Sequence, residues 1–310
     1  MKPFRPWIIA LSGLALLVLA GWAAAFFVPG GQVAKFKIMG LGPDQGPPER
    51  VVSLAPSITE TLFAIGAGDL VKGVTDFCEY PPDVDTLTRV GGYYDPDFET
   101  IVKLRPELVV LLPEHRDVRY RLQHLGIPSL TVSMNRLGGV MSAALILGQV
   151  CRCEAQGAWL AQRLSLAVVQ SRARAKDRPE RSVLLVLGRE YGSGRVRDAY
   201  IAGRGEYHDE LLEAVGARNA FTSPSPKYPK VSGEGLLDLD PDVIIELIPD
   251  LEATGLTAGK VLRDWRAHGA LSAVKHDRVH VIAGGHTVVP GPRLPALLAD
   301  LEQRVYPDRP

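Results

Sequence analysis

Asp97-Phe98-Glu99-Thr100-Ile101-Val102-Lys103-Leu104-Arg105-Pro106-Glu107-Leu108-Val109-Val110 and Ser232-Gly233-Glu234-Gly235-Leu236-Leu237-Asp238-Leu239-Asp240-Pro241-Asp242-Val243-Ile244-Ile245 are two versions of one pattern. Each opens on a side chain able to cap a helix and carries Glu two positions later. An apolar pair and a leucine follow, then Pro, an acid and a continuous apolar run. The physical reading is the same twice. Asp97 or Ser232 caps a helix, the Glu in its first turn suits the positive end of the helix dipole, Pro ends the helix, and a buried strand follows.

A second pair keeps the same order along the chain. Thr59-Glu60-Thr61-Leu62-Phe63-Ala64-Ile65-Gly66-Ala67 matches Asp209-Glu210-Leu211-Leu212-Glu213-Ala214-Val215-Gly216-Ala217. Each reads as a helix closed by a left-handed Gly. Val51–Leu54, Leu108–Leu112, Val183–Leu187 and Val243–Leu247 read as strands. The last three are nearly continuous apolar runs, the mark of parallel strands covered on both faces. The expected fold is therefore α/β: two Rossmann-like lobes of similar build, 49–136 and 177–310.

Between them, 137–176 contains no proline and is rich in helix formers. It reads as one inter-lobe helix about 50 Å long, with imperfect apolar periodicity around Arg152 to Gln156. Such a connector would let a cleft between the lobes close only slightly.

The chain has 310 residues, 35 basic and 35 acidic, and 46% hydrophobic content. That suits a two-domain globular protein and gives no electrostatic footprint for nucleic acid. Cys78, Cys151 and Cys153 cannot all pair within one chain, and all three read as thiols. Lys2 and Arg5 precede an apolar run from Trp7 to Val28. Residues 1–28 read as a secretion signal or an uncleaved membrane anchor, and 29–48 as a Gly- and Pro-rich linker. Trp22 stands where a lipoprotein signal needs cysteine. The remainder is thus expected in the periplasm or on the outer face of the cytoplasmic membrane.

Arg50-Val51-Val52-Ser53-Leu54-Ala55-Pro56-Ser57-Ile58-Thr59-Glu60 resembles the opening strand and loop of the helical-backbone periplasmic binding proteins for ferric siderophores, haem and cobalamin. Asp76-Phe77-Cys78-Glu79-Tyr80-Pro81-Pro82 is similar to a loop of the cobalamin-binding members. Val90-Gly91-Gly92-Tyr93, Glu99 and Leu104 to Val109 continue the likeness, as does Tyr228 to Glu234. The resemblance covers roughly residues 49 to 304. It implies a ligand cleft between two lobes and no catalysis. The partners it implies are an ABC permease dimer with its cytoplasmic ATPase and a small-molecule ligand.

Loops at strand ends are the usual ligand site of open α/β sheets. The candidates are Ser57, Phe77, Tyr93, Tyr94, His115, Tyr200, Tyr228, His286 and Arg293. Phe77, Tyr93, Tyr200 and Tyr228 lie near positions where cobalamin-binding relatives place aromatics. The chain has Tyr rather than Trp at two of these, which leaves haem or a ferric siderophore open beside cobalamin, since Tyr and His ligate haem iron. The ligand is carried cargo; no intrinsic cofactor is implied. The resemblance also maps Glu99 and Glu234 onto paired surface glutamates that contact permease arginines.

Other chemistry has little support in the residues. His276 and His280 have metal-ligand spacing only if helical, and Val279 to Ile282 reads as a strand. Neither a nucleophile elbow nor a Walker phosphate loop is present. A receptor for a bare transition metal and a membrane-tethered enzyme on this fold remain the rival readings.

Overall fold

The structure is a computed structural model. It describes residues 46–224, 227–251 and 253–307, all within one contact unit, 38–310. The readings placed on 1–28 and on most of 29–48 lie outside these residues. Among the described residues no helix is long and apolar enough to cross a membrane.

The first lobe is a five-stranded parallel sheet. Its strands are β1 (Val51–Ser53), β2 (Val71–Val74), β3 (Thr88–Arg89), β4 (Leu108–Leu111) and β5 (Ser129–Thr131), in the order β3-β2-β1-β4-β5. The order reverses at β1, as in doubly wound folds. Helices α1 (Pro56–Ala64), α2 (Phe98–Leu104) and α3 (Arg116–His124) alternate with the strands. Every residue of β1 and β4 is buried. Val52, Leu54, Val109 and Leu111 pack with Ile101 of α2 and Leu122 of α3. Burial of each such side chain contributes about 1.5–3 kcal/mol.

The connector differs from expectation. It is two helices, α4 (Leu137–Val150) and α5 (Glu154–Ala175), not one. Arg152 stands in the left-handed region at φ 57°. The Cys153 N–H donates to the Gly148 carbonyl at 2.7 Å and the Arg152 N–H to that of Gln149 at 3.4 Å. This is a Schellman stop, a geometry usually given to glycine. The chain then turns back so that α5 packs on α4, with Gly157 against Ala144 and Gly148. The flaw in periodicity at Arg152 marks a reversal.

The second lobe has six strands: β6 (Ser182–Arg189), β7 (Asp198–Ile201), β8 (Arg218–Asn219), β9 (Lys230–Ser232), β10 (Val243–Ile248) and β11 (Val279–Ala283). Their order is β11-β10-β6-β7-β9, with β8 beside the start of β6. β11, β10 and β6 run parallel, whereas β7 is antiparallel to β6 and to β9. The lobe is therefore a mixed sheet, a departure from a uniformly parallel Rossmann-like unit. Its helices are α6 (Tyr207–Ala214), α7 (Gly233–Leu239), α8 (Ala258–Arg266), α9 (Ser272–Lys275) and α10 (Leu294–Val305). Its core surrounds the fully buried Trp265. A buried ion cluster pins one loop there. Arg189 binds Glu246 at 2.6 Å and Asp264 at 2.8 Å, and Asp264 accepts the Gly192 and Gly194 N–H groups.

The repeat is real in space. Asp97 caps α2, accepting the N–H groups of Glu99 and Thr100, and Ser232 caps α7, accepting that of Gly235. Arg105 and Asp240 end these helices at φ 48° and 33°. Each precedes a proline, which disfavours continued helix at the residue before it. α1 and α6 stop at Gly66 and Gly216, with φ 80° and 78°.

Candidate functional site

A cleft of about 790 Å³ opens between the lobes. The first lobe contributes residues beyond the C-terminal ends of β1, β4 and β5: Pro56 and Ser57, Leu112 to Glu114, and Met134 and Asn135. Parallel strands end there together, so their loops converge. Phe77 and Tyr93 to Asp95 complete that wall. The second lobe contributes Glu206 to His208 at the start of α6, Lys227, Tyr228, and Val288 to Pro290.

Five residues singled out in the sequence meet here: Ser57, Phe77, Tyr93, Tyr94 and Tyr228. Phe77, Tyr94 and Tyr228 are 60%, 73% and 55% exposed, so aromatic surface faces the opening from both lobes. Tyr93 donates its hydroxyl to Glu114 Oε1 at 3.1 Å, and its ring meets the edges of Tyr94 and His115 at 4.7 and 4.5 Å. Burial and the facing Glu114 carboxylate push the Tyr93 phenol well above its usual range.

Four candidates lie elsewhere. His115 is buried behind Tyr93 and does not line the cleft. Its Nδ1 accepts the Leu112 N–H at 3.2 Å, and burial holds its pKa below the usual imidazole value. It supports Tyr93 from behind. Tyr200 sits on β7, paired with Gly188 of β6 on one side and Lys230 of β9 on the other, with its ring near the Lys230 ammonium and outside the cleft lining. His286 is hydrogen-bonded to Asp300 at 2.8 Å. Arg293 forms a two-point pair with Glu60 of the first lobe at 2.8 and 2.5 Å and lies over the Tyr80 ring. It joins the lobes instead of facing the cavity.

The charged rim was not read from the sequence. Asp95, Glu114 and Glu206 carry carboxylates at the cleft, and the cationic Lys227 lies 3.5 Å from Glu206. His208 is buried and hydrogen-bonded to the Thr287 carbonyl, and desolvation lowers its pKa, so it adds no positive charge near neutrality. One signal was available for part of this wall. In the aligned repeat, Glu206 and Tyr207 stand where Pro56 and Ser57 stand in the first lobe, and all four line the cleft. Nothing local marks Asp95 or Glu114.

Glu99 and Glu234 are exposed in the first turns of α2 and α7. Glu99 pairs with Lys103 at 2.6 Å. His276 caps the end of α9 while His280 lies within β11, so they do not share a helix face. Among the described residues no group of three or more His, Cys, Asp or Glu side chains is arranged to hold a metal ion. Cys78, Cys151 and Cys153 are all free.

Known proteins agree with this architecture. A vitamin B12-binding protein of Vibrio cholerae is 27% identical over 258 residues, covering 80% of this chain and 85% of its own. An uncharacterised ABC transporter substrate-binding lipoprotein of Bacillus subtilis is 27% identical over 270 residues, 84% of this chain and 81% of its own. The crystal structure of a periplasmic haem-binding protein from Pseudomonas aeruginosa superposes with a TM-score of 0.71 at 26% identity, over 85% of this chain and 94% of that one. Residues 51–284 match the periplasmic binding protein family, and with two lobes, converging strand-end loops and a cleft between them, the chain belongs to that family.

Proposed function

We propose that this chain is the exported substrate-binding component of an ABC importer and that its cargo is a corrinoid of the cobalamin type. The observation that carries the choice of cargo is the charge of the cleft. Among the described residues that line it, three carboxylates stand against one lysine, which is paired with one of them. A haem brings two propionates, and many ferric siderophores are anionic; either would meet like charge in a partly desolvated site. A corrinoid is large, without carboxylates on its ring, and fringed with carboxamides whose N–H groups suit carboxylate acceptors. Aromatic faces on both walls suit its apolar surface. Relatives of this chain that are named for vitamin B12 support the same reading.

The test is equilibrium binding of the purified protein to cyanocobalamin, haemin and ferrichrome. Tightest binding of cyanocobalamin, recovered chemically unchanged, is expected. Haemin bound more tightly than cyanocobalamin would overturn the cargo assignment, and turnover of the bound compound would overturn carriage.

A further inference from the structure

Glu60 and Glu210 occupy the same place in the internal repeat, and each reaches across to the other lobe. Glu60 of α1 holds Arg293 of the second lobe. Glu210 of α6 holds Arg136 of the first lobe at 2.5 Å and accepts the Leu137 N–H at 2.6 Å. The two arginines correspond as well. Arg136 is the N-cap residue of α4, the helix after β5, and Arg293 is that of α10, the helix after β11. Each strand is the last of its lobe.

Each partner is tied to the cleft wall. Ser57 and Tyr207 line the cleft one helical turn before Glu60 and Glu210. Asn135 and Pro290 line it just before Arg136 and Arg293. Gly291, two residues before Arg293, sits beside the first pair at ordinary contact distance. A Cβ on Gly291 would lie 3.9 Å from both Glu60 Oε2 and the Ser57 carbonyl. The pairs differ in exposure: side-chain values are 2% and 23% for Glu60 and Arg293, against 16% and 58% for Glu210 and Arg136.

We infer that Glu60–Arg293 and Glu210–Arg136 are repeat-related inter-lobe clasps that fix the width of the cleft, with all four side chains acting as positioning residues. The buried pair is the fixed point, because separating it strands a charge in a desolvated site. The less buried pair is the one that yields, since the exposed Arg136 exchanges its carboxylate for water and salt at lower cost than the buried Glu60–Arg293 pair would. Opening therefore proceeds about the Glu60–Arg293 side.

The test measures distances between nitroxides carried by unnatural amino acids at the exposed positions 123 and 238, one per lobe, in the ligand-free full chain. Arg136→Gln and Glu210→Gln remove the charge pair, and Gln at 210 keeps an acceptor for the Leu137 N–H. Each is expected to shift the distance distribution to longer, broader values. The double variant should shift it no further than either single one, because the two remove one interaction. Arg136→Lys should stay near the parent, and Lys103→Gln, which breaks an exposed pair within one lobe, should leave the distribution unchanged. Distributions for Arg136→Gln and Glu210→Gln that overlay the parent would overturn the inference, as would a shift of equal size in Lys103→Gln. The measurement needs no ligand, so failure of cyanocobalamin to bind would sink the cargo assignment alone.

Discussion

Gly148 and Gly157 meet back to back where α4 and α5 pack together: a Cβ built on Gly148 would lie 3.0 Å from the Gly157 Cα. A Cβ on Gly157 would come within 2.6 Å of the Ala144 carbonyl oxygen. Backbone cannot swing aside as a long side chain can. Gly157→Ala should therefore destabilise the protein by about 1–3 kcal/mol, despite the better helix propensity of alanine. Gly138, in the first turn of α4, has nothing within 4 Å of a built Cβ. Gly138→Ala should be neutral or stabilising by up to about 1 kcal/mol. Urea denaturation of the two variants checks the sign of each.

Tyr93 and Tyr228 face the cleft from opposite lobes. Replacing both with Ala should weaken cyanocobalamin binding by about 5- to 150-fold, taking an aromatic contact as about 0.5–1.5 kcal/mol each. Tyr228 is exposed, so its loss should barely change stability, while loss of Tyr93 should cost somewhat more because its ring covers His115. Calorimetric titration beside thermal denaturation separates the two effects. Unchanged affinity in a folded double variant would remove both residues from the ligand site.

Glu99 and Glu234 have a simple local role as first-turn carboxylates, worth about 0.3–1 kcal/mol each. Their matched places in the two lobes suit a second role, contact with basic pockets on a two-fold permease. Changing both to Lys should leave cyanocobalamin affinity nearly unaltered and abolish transport by the importer reconstituted in liposomes. Glu99 is held by Lys103, whereas no ion pair is formed by Glu234 among the described residues. Glu234→Lys alone should thus impair transport more than Glu99→Lys alone. Normal uptake by the double variant would return both residues to helix-end electrostatics.

His208 links stability to pH. Burial holds its imidazole below the usual histidine pKa, while in the unfolded chain it titrates near about 6.5. Below that value the unfolded chain takes up a proton that the folded chain refuses. Stability should then fall as pH drops through about 6.5, by up to roughly 1.4 kcal/mol per pH unit, and level off below the folded pKa. His115 and His280 are lowered in the same direction and add to the slope. In His208→Gln, whose amide can still donate to the Thr287 carbonyl, denaturation across about pH 5–8 should show a shallower decline. An identical slope would show that His208 does not contribute.

The local code of the chain determined its elements and their repetition. Capping by Asp97 and Ser232, the Pro after each helix and the apolar runs that follow act over a few residues, and each took the form its sequence implies. Doubling of that code was enough to give two lobes and a cleft between loops at strand ends. The break in the connector was hidden because Arg152, not glycine, adopts the left-handed turn. What holds it there is the packing of Gly157 on Ala144 and Gly148, a contact between two helices that no short window contains. The same limit applies at the site. Tyr93 and Tyr228 were legible as loop aromatics, but the partners of Glu60 and Arg293 lie 233 positions apart along the chain. Arg293 could be read as a ligand-facing cation until the fold placed a carboxylate from the other lobe against it. Side-chain type is set residue by residue, whereas what a charged side chain faces is decided only when distant segments are packed together and water is excluded between them.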